Sequence, residues 1–293
     1  MVWFDNISHE WLMKFMEHRI ADPRMLRLLK KWLRAGVSED GEWSPTTVGT
    51  PQGAVCFALR CERRNSAPLY ANVFLHYVFD LWINEWRKHE ARGEVTVIRY
   101  ADDFVIGFRE ESDARRCLAA LKERFAKFGL ELHPDKTRLI EFGRYAEERR
   151  AKRGDSPPET FDFLGFTHIS GKTRRGDFTI HRKTSRKKFQ TKLDAFRVQL
   201  LRRRHADLSE TGGWLLSLYR GWCQYYAVPC NYERLRQFKE ALQKMWLAVL
   251  RRRSQRGRHL TWAKFSELSR QWLPTPKILH PYPNVRFASQ HPR

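Results

Sequence analysis

Two adjacent carboxylates stand between two short runs of β-branched and aromatic residues. Val95–Tyr100 and Phe104–Phe108 flank Ala101-Asp102-Asp103, a pattern that predicts a β-hairpin with an acidic tip. Neighbouring carboxylates at such a tip can share one divalent cation, because Mg²⁺ prefers hard oxygen ligands together with substrate phosphates. Taken alone, an Asp-Asp pair is more often an ordinary turn, since aspartate is a common turn residue. Metal-assisted phosphoryl transfer by Asp102 and Asp103 therefore needs support from other motifs.

Further motifs accompany the hairpin in a fixed order. Gly49–Gly53 precedes it, Leu130–Thr137 and Phe163–Phe166 follow it, and Phe4–Leu12 stands near the amino end. In this order the segments resemble the conserved blocks of reverse transcriptases, specifically those of group II introns. Later in the chain, the segments that resemble the maturase (RNA-splicing) domain of that family are Trp214-Leu215, Arg220–Tyr226 and His280–Pro283. Several ordered motifs are far more specific than any one of them.

The resemblance implies an α+β fold. Residues 1–170 would form a partial right-hand polymerase palm and fingers, with a small antiparallel sheet and packed helices. Residues 171–293 would form an α-helical thumb and maturase domain. Mg²⁺ is the cofactor that the family implies, and dNTPs, an RNA template with a DNA primer, and group II intron RNA are the implied partners.

The catalytic roles that the resemblance implies fall on three residues. Asp102 and Asp103 would be the palm carboxylates that bind metal, with Asp102 the firmer ligand. Lys136 would face the phosphates of the incoming nucleotide, where a cation can neutralise developing charge or donate a proton. Without the resemblance, Lys136 would be read as a solvated lysine in a turn.

Four further residues would contact substrate. Phe4 matches the aromatic that crowds the sugar 2′ position, although from the residues alone it would be a core aromatic. Gln52 would lie near the nascent base pair and template. Gly53 would let the backbone approach closely. Tyr100, the first residue of the Tyr-Ala-Asp-Asp motif, would also border the substrate.

The pattern departs from the family at two places. The resemblance implies another metal-binding aspartate a few residues before Phe4, a position that would precede Met1. We therefore expect an amino-terminal truncation and an impaired polymerase. Residues Ala54–Asn65 separate the Gln-Gly turn from Ser66–Asn72, and this insertion is either an exposed loop or a scar of genetic damage.

Charge indicates a polyanionic partner. The 293 residues include 55 Lys and Arg against 33 Asp and Glu, a net charge of +22. Between Gly171 and Leu260 the same counts are 23 and 6, which predicts salt-dependent binding to phosphate backbones. A merely solubilising basic surface is the less favoured alternative. The arginines expected to contact RNA are Arg202, Arg203, Arg204, Arg251, Arg252 and Arg253.

Other classes of protein have little support. No apolar run approaches the length of a membrane span and no signal-like stretch is present, so we expect a cytoplasmic protein without a membrane partner. The cysteines are odd in number and lack the spacing of metal ligands or of a disulfide framework. They are Cys56, Cys61, Cys117, Cys223 and Cys230.

Periodicity predicts the elements that position these residues. Apolar residues at three-and-four spacing predict two helices within His9–Ala35, the second beginning at Pro23, and helical structure over Leu69–Trp86. A helix from about Asp113 to Phe128 should end at a left-handed Gly129. The remaining predictions are a hairpin within Gly36–Gly49, strand-like Leu130–Leu132 and Thr137–Phe142, and an exposed linker or flexible loop over Arg144–Thr160.

Two aromatic and aliphatic stripes follow in the basic half. Their helical spacing favours the core of a small helical domain over base-stacking platforms. The first stripe is Trp214, Leu218, Trp222, Tyr225 and Tyr226, and the second is Leu235, Phe238, Leu242, Met245 and Trp246.

Three hypotheses on function remain open. The leading one is a group II intron-type reverse transcriptase and maturase. The second is a non-catalytic RNA-binding splicing factor on a degenerate polymerase fold, in which the acidic pair has no role. The third is a reverse transcriptase of a retron or defence system, which the maturase-like segment Trp214–Tyr226 disfavours.

Overall fold

The computed structural model describes residues 7–34, 37–39, 42–44, 67–173, 175–283 and 285–286. The chain divides into two units, Met1–Leu139 and Ile140–Arg293. This division falls before the boundary at residue 170 expected from the sequence. The reason is that Phe166–Lys172 pairs with a later strand, and the ring of Phe166 packs on Tyr225 and Tyr226. The assignment of palm and thumb to separate domains stays a prediction.

The first unit combines helices with two antiparallel hairpins. Its described helices are α1 (His9–Glu17), α2 (Pro23–Arg34), α3 (Ala67–Leu75), a π-helical turn (His76–Asp80), α4 (Leu81–His89) and α5 (Glu111–Ala126). Its described strands are β1 (Val37–Glu39), paired with β2 (Glu42–Ser44), and β3 (Val95–Tyr100), paired with β4 (Asp103–Phe108). The predicted helices and both predicted hairpins are confirmed. The π-helical turn was not predicted.

Local signals explain most of the helix ends. The Ser8 hydroxyl accepts the N–H of Trp11 at the start of α1, and Pro23 is the first residue of α2, where its missing N–H costs nothing. After α5, Gly129 adopts φ +71° and the N–H of Leu130 donates to the Phe125 carbonyl oxygen at 3.0 Å. The predicted glycine cap of α5 is confirmed.

The segment after this cap contradicts the strand prediction. Neither Leu130–Leu132 nor Thr137–Phe142 is in a strand. Leu130 and Leu132 are nevertheless buried while Glu131 is exposed. Apolar and polar residues do alternate between the core and solvent here. This alternation reflects packing of an irregular segment on the core and not pairing with another strand.

The core of the first unit lies between its helices and one face of the β3–β4 hairpin. Phe74, Val78, Phe79 and Phe125 are fully buried at its centre. The ring of Phe104, on β4, lies 4.6 Å from the ring of Phe79. Burial of large apolar side chains, at roughly 25 cal/mol per Å² of apolar surface, thus fixes the hairpin against the helices.

The second unit places a three-stranded antiparallel sheet beside helices. The sheet order is β5 (Phe161–Phe163), β6 (Phe166–Lys172), β7 (Phe178–Thr184). Its described helices are α6 (Ala146–Arg153), α7 (Arg186–Arg202), α8 (Leu208–Tyr226), α9 (Tyr232–Arg251), a 3₁₀ turn (Arg256–His259) and α10 (Trp262–Ser269). None of the helices in the described ranges has both the length and the apolar character needed to cross a membrane.

Helix α6 corrects the expectation of a loop over Arg144–Thr160. Its residues are strong helix formers, and Lys152 pairs with Glu148 at 2.8 Å, four positions earlier. Gly154 closes the helix at φ +74°, and Ala146 is buried at its start. A charged helix with one small buried contact has a weak hydrophobic pattern, which is why the segment resembled a linker.

Both aromatic stripes are largely buried. Trp222 on α8 and Phe238 on α9 stack with ring centroids 4.3 Å apart. Phe238 and Trp246 are almost completely buried, which confirms the core interpretation. Tyr225 is the exception, since 51% of it is exposed.

Candidate functional site

The acidic tip is a tight β-hairpin turn. Tyr100 pairs with Asp103, so the connection consists of only Ala101 and Asp102. Ala101 has φ +52°, a left-handed conformation that costs a residue with a Cβ about 1 to 2 kcal/mol. Strain of this kind accumulates at functional turns, where the surrounding structure must maintain it. The predicted hairpin is confirmed, with Asp102 in the turn and Asp103 as the first residue of β4.

The two faces of this hairpin differ sharply. On β3, Val95, Val97 and Arg99 are half-buried, and the alternate residues are exposed. Tyr100 is 65% exposed, and its partner Asp103 is exposed as well. Cross-strand partners project from the same side of a sheet. The geometry therefore puts Tyr100 and the Asp103 carboxylate on the open face, beside Asp102 in the turn.

An arginine on the other face ties the turn to the helices. The Arg99 Nε and Nη2 donate to Asp80 Oδ1 and Oδ2 at 2.7 and 2.6 Å. Its Nη1 donates to Asn72 Oδ1 at 2.9 Å and to the Ala101 carbonyl oxygen at 2.8 Å. One guanidinium thus connects the strained turn with α3 and with the π-helical turn. Fork-like bonds to a carboxylate are strong and directional.

Sequence reasoning missed this cluster. A signal was present, because Arg99 occupies the inward position that follows Val95 and Val97 in an alternating strand. A charge at such a position needs a partner. The identity of that partner, Asp80, depends on tertiary packing and could not be read from the strand.

A second anchor holds the start of β3. The carboxylate of Asp113, on α5, is completely buried and accepts the backbone N–H groups of Arg92 and Gly93 at 2.8 and 3.0 Å. It also accepts a bond from Arg116 Nη2 at 2.7 Å. The Arg116 guanidinium and the Gly93 N–H hold the pKa of Asp113 below its usual range. The hairpin is therefore fixed at both ends by charged hydrogen bonds.

Lys136 lies in a turn that begins at Pro134. The N–H groups of Lys136 and Thr137 donate to the His133 carbonyl oxygen at 3.3 and 3.0 Å, and the lysine is exposed. Buried Leu130 and Leu132, just before this turn, belong to the same hydrophobic cluster as the inner face of the hairpin. The first unit thus contains Asp102, Asp103, Tyr100 and Lys136. Phe4, Gln52 and Gly53 lie outside the described residues.

The arginines expected to contact RNA belong to the second unit and differ in their surroundings. Arg253 Nη1 donates to the Ala206 carbonyl oxygen at 2.9 Å, and Arg251 Nε donates to the Leu260 carbonyl oxygen at 3.0 Å. The Arg203 guanidinium lies over the Trp214 ring, 4.9 Å from its centroid. These three side chains support the helix ends, and the other three arginines differ in their exposure to solvent. The latter are Arg202 and Arg252, which are exposed, and Arg204, which is half-buried.

Three motifs that are distant in sequence come together in the second unit. The Tyr225 hydroxyl donates to the Leu164 carbonyl oxygen at 2.8 Å, in the turn between β5 and β6. His280 Nε2 lies 2.7 Å from the Gln224 carbonyl oxygen. The N–H groups of Leu279 and His280 also donate to the Ala227 carbonyl oxygen. The Phe163–Phe166 motif and the maturase-like segments Arg220–Tyr226 and His280–Pro283 therefore form one connected structure.

Comparison with known proteins agrees with the motif order. A model of the reverse transcriptase (RNA-dependent DNA polymerase) family matches residues 3–168. Protein YkfC of Escherichia coli (strain K12) is 27% identical over 209 residues, which cover 61% of this chain and 47% of that protein. Group II intron-encoded protein LtrA of Lactococcus lactis subsp. cremoris is 37% identical over 73 residues, which cover 25% of this chain and 10% of that protein.

A third relative aligns with half of this chain. An uncharacterized 91 kDa protein in cob intron of Schizosaccharomyces pombe is 22% identical over 151 residues, which cover 50% of this chain and 17% of that protein. The aligned region spans less than half the length of each of these relatives.

Proposed function

Because this chain belongs to the reverse transcriptase (RNA-dependent DNA polymerase) family, we propose that it is a group II intron-type reverse transcriptase and maturase. Such a protein copies RNA into DNA and binds intron RNA to assist splicing. The observation that carries the proposal is the β3–β4 turn within the matched region, which holds Asp102 and Asp103 at adjacent positions. The Arg99 hydrogen bonds to Ala101 and Asp80 support the polymerase assignment, because they fix the turn that bears these carboxylates.

The carboxylates suit a magnesium-dependent transfer. In the described ranges, no group of three or more His, Cys, Asp and Glu side chains could hold a metal ion. Two carboxylates fit Mg²⁺ nonetheless, because this ion is commonly bound by one or two carboxylates with substrate phosphates and water. Asp102 and Asp103 would hold it. Magnesium bound there supplies stabilisation of the charge that develops on the transferring phosphate.

Other residues would position the substrates. The exposed Lys136 ammonium would bind the phosphates of the incoming dNTP, and the exposed Tyr100 ring would border the nucleotide on the open face of the hairpin. The roles that the family motifs imply remain for three further residues. Phe4 would lie next to the sugar and Gln52 next to the template base, and Gly53 would let the backbone approach closely. RNA template and DNA primer are the corresponding macromolecular substrates.

The second unit would bind intron RNA. Its segment Gly171–Leu260 has 23 basic and 6 acidic residues, a charge that favours contact with phosphates. The exposed Arg202 and Arg252 are the arginines best placed for this, because their guanidinium groups reach solvent. Arg203, Arg204, Arg251 and Arg253 would contribute charge at the same helix ends.

A second candidate function is a non-catalytic RNA-binding splicing factor. The cationic second unit favours it, because binding intron RNA needs no acidic pair in the first unit. The two candidates differ in whether Asp102 and Asp103 are used.

Primer extension on an RNA template with Mg²⁺ separates these candidates. Asp102→Asn and Asp103→Asn keep the size of the side chains and remove their charges. We expect weak DNA synthesis by the parent chain and a loss of at least about a thousandfold in the double variant, because metal-assisted transfer depends on fixed ligands. Synthesis that survives in the double variant would refute the catalytic assignment. Intron-RNA binding without any synthesis by the parent chain would favour the splicing factor.

A further inference from the structure

Helix α2 has an unusual distribution of charge. Arg24, Arg27, Lys30 and Lys31 are all exposed, and the helix contains no Asp or Glu. Arg27 and Lys31 are four positions apart, a spacing at which like charges repel on one face of a helix. Arg24 stands in the first turn, where the helix dipole disfavours a cation. The position of Arg24 and the repulsion between Arg27 and Lys31 therefore disfavour the helix that carries them.

Three exposed cations on neighbouring helices of this unit are neutralised by an acidic partner. Lys14 pairs with Glu10 at 2.7 Å, Lys88 with Glu85 at 2.8 Å, and Arg115 with Glu111 at 2.6 Å. Across the parts of the chain that the structure describes, no ion pair involves Arg24, Arg27, Lys30 or Lys31. These four cations are therefore open to contact with an anionic partner.

Packing fixes the direction in which α2 presents these cations. Leu29 and Leu33 are buried in the core of the first unit, and Leu26 and Trp32 pack against it. The opposite side of the helix therefore faces solvent. Met25 and Leu28, 45% and 40% exposed, lie between the cations.

We propose that α2 is a binding surface for the phosphate backbone of RNA, in addition to the arginines of the second unit. The proposal rests on the proposed function, because that function makes RNA the polyanion this chain handles. Arg24, Arg27 and Lys31 form a stripe about 10 Å long, given the rise of an α-helix. A stripe of this length spans roughly two or three successive phosphates of one strand.

An anionic membrane surface is the competing partner for a basic amphipathic helix. Such a helix inserts its apolar face between lipids. In this chain Leu29 and Leu33 are already buried within the unit, and only Met25 and Leu28 are left at the surface. Charge without a free apolar face favours RNA over lipid.

The test compares two triple variants of the full chain with equal loss of charge. The α2 variant is Arg24→Gln, Arg27→Gln, Lys31→Gln. The control is Lys14→Gln, Lys88→Gln, Arg115→Gln, which removes cations that already have an acidic partner. The dissociation constant for a structured RNA is measured over a series of KCl concentrations. Thermal melting followed by circular dichroism verifies that both variants fold.

Each lost phosphate contact should lower the slope of log affinity against log salt by about one. We expect the slope of the α2 variant to fall by about three, with at least about tenfold weaker binding near physiological salt, while the control changes by less than about one. Equal slopes in the two variants would overturn the proposal. The proposal would also be overturned if the α2 variant kept the salt slope of RNA binding but no longer bound phosphatidylglycerol vesicles. The surface of α2 would then bind lipid.

The outcome is separable from that of the polymerase proposal. A chain that shows the α2-dependent slope but makes no DNA in primer extension would refute polymerase activity and leave the RNA surface intact. A chain that makes DNA with equal slopes in both variants would refute the surface and leave the polymerase.

Discussion

The guanidinium of Arg99 forms a two-point ion pair with the carboxylate of Asp80, at 2.7 and 2.6 Å. The same guanidinium donates to the carbonyl oxygen of Ala101, which adopts a left-handed conformation. Asp80 is the last residue of a π-helical turn, a rare structure that is frequent at functional sites. Arg99 and Asp80 thus link the geometry of the acidic turn to the core helices.

Replacing Arg99 by Lys should loosen this link. Lysine keeps the positive charge but cannot bond to Asp80, Asn72 and Ala101 with one planar fork. We expect urea unfolding to show a loss of about 2 kcal/mol, as for lost hydrogen bonds to charged groups. Hydrogen exchange of the amides in residues 101–103 should accelerate. Arg115→Lys is the matched control, because its exposed pair with Glu111 contributes little. Unchanged exchange at the turn would show that Arg99 does not hold it.

Asp113→Asn should weaken the first unit in a pH-dependent manner. The Arg116 guanidinium and the Gly93 N–H depress the pKa of Asp113 in the folded chain. Its contribution to stability is therefore present above the unfolded pKa, near 3.8, and is lost as the pH falls through the folded value. We expect the free energy of unfolding of the parent to exceed that of the variant at neutral pH. The difference should shrink in acid. Asp135→Asn, in an exposed turn, is the control, and a difference independent of pH would contradict this account.

Local patterns predicted much of the fold. The β3–β4 hairpin, the glycine cap of α5 and the buried stripes of α8 and α9 follow from periodicity and from residues with special backbone preferences. The prediction of a strand at Leu130–Leu132 was wrong, because alternating burial does not require pairing with another strand. Helix α6 was missed because its sequence lacks an apolar face.

The candidate site was predicted less completely. Asp102 and Asp103 could be found because adjacent acids between two strand patterns form a local signal. Asp80 and Asn72 could not, because Arg99 meets them across separations of 19 and 27 positions. Contacts over such separations depend on how α3 and the π-helical turn pack. The sequence therefore indicated the reactive groups but not the groups that hold them.

Two neighbouring glycines of α8 should respond oppositely to alanine. A Cβ at Gly212 would lie 2.3 Å from the ring of Trp272, whereas a Cβ at Gly213 would meet no atom within 4 Å. Gly213→Ala should stabilise the second unit by roughly 0.5 to 1 kcal/mol, because alanine loses less entropy in a helix. Gly212→Ala should instead destabilise it by about 1 to 3 kcal/mol through overpacking. Thermal melting of the two variants measures both effects, and a stabilised Gly212→Ala would show that Trp272 moves freely.

Adjacent arginines after α9 should separate stability from RNA binding. Arg253 donates to the carbonyl oxygens of Ala206 and His205, so Arg253→Gln should lower the free energy of unfolding by about 1 kcal/mol. Arg252 is exposed, and Arg252→Gln should leave unfolding unchanged within about 0.5 kcal/mol. Under the proposed function, the loss of one phosphate contact in Arg252→Gln should reduce the salt slope of RNA binding by about one. Urea unfolding and RNA titration of both variants test this division. If Arg253→Gln were as stable as the parent chain and changed the salt slope more than Arg252→Gln, the two roles would be reversed. Arg253 would then bind phosphate instead of the two carbonyl oxygens.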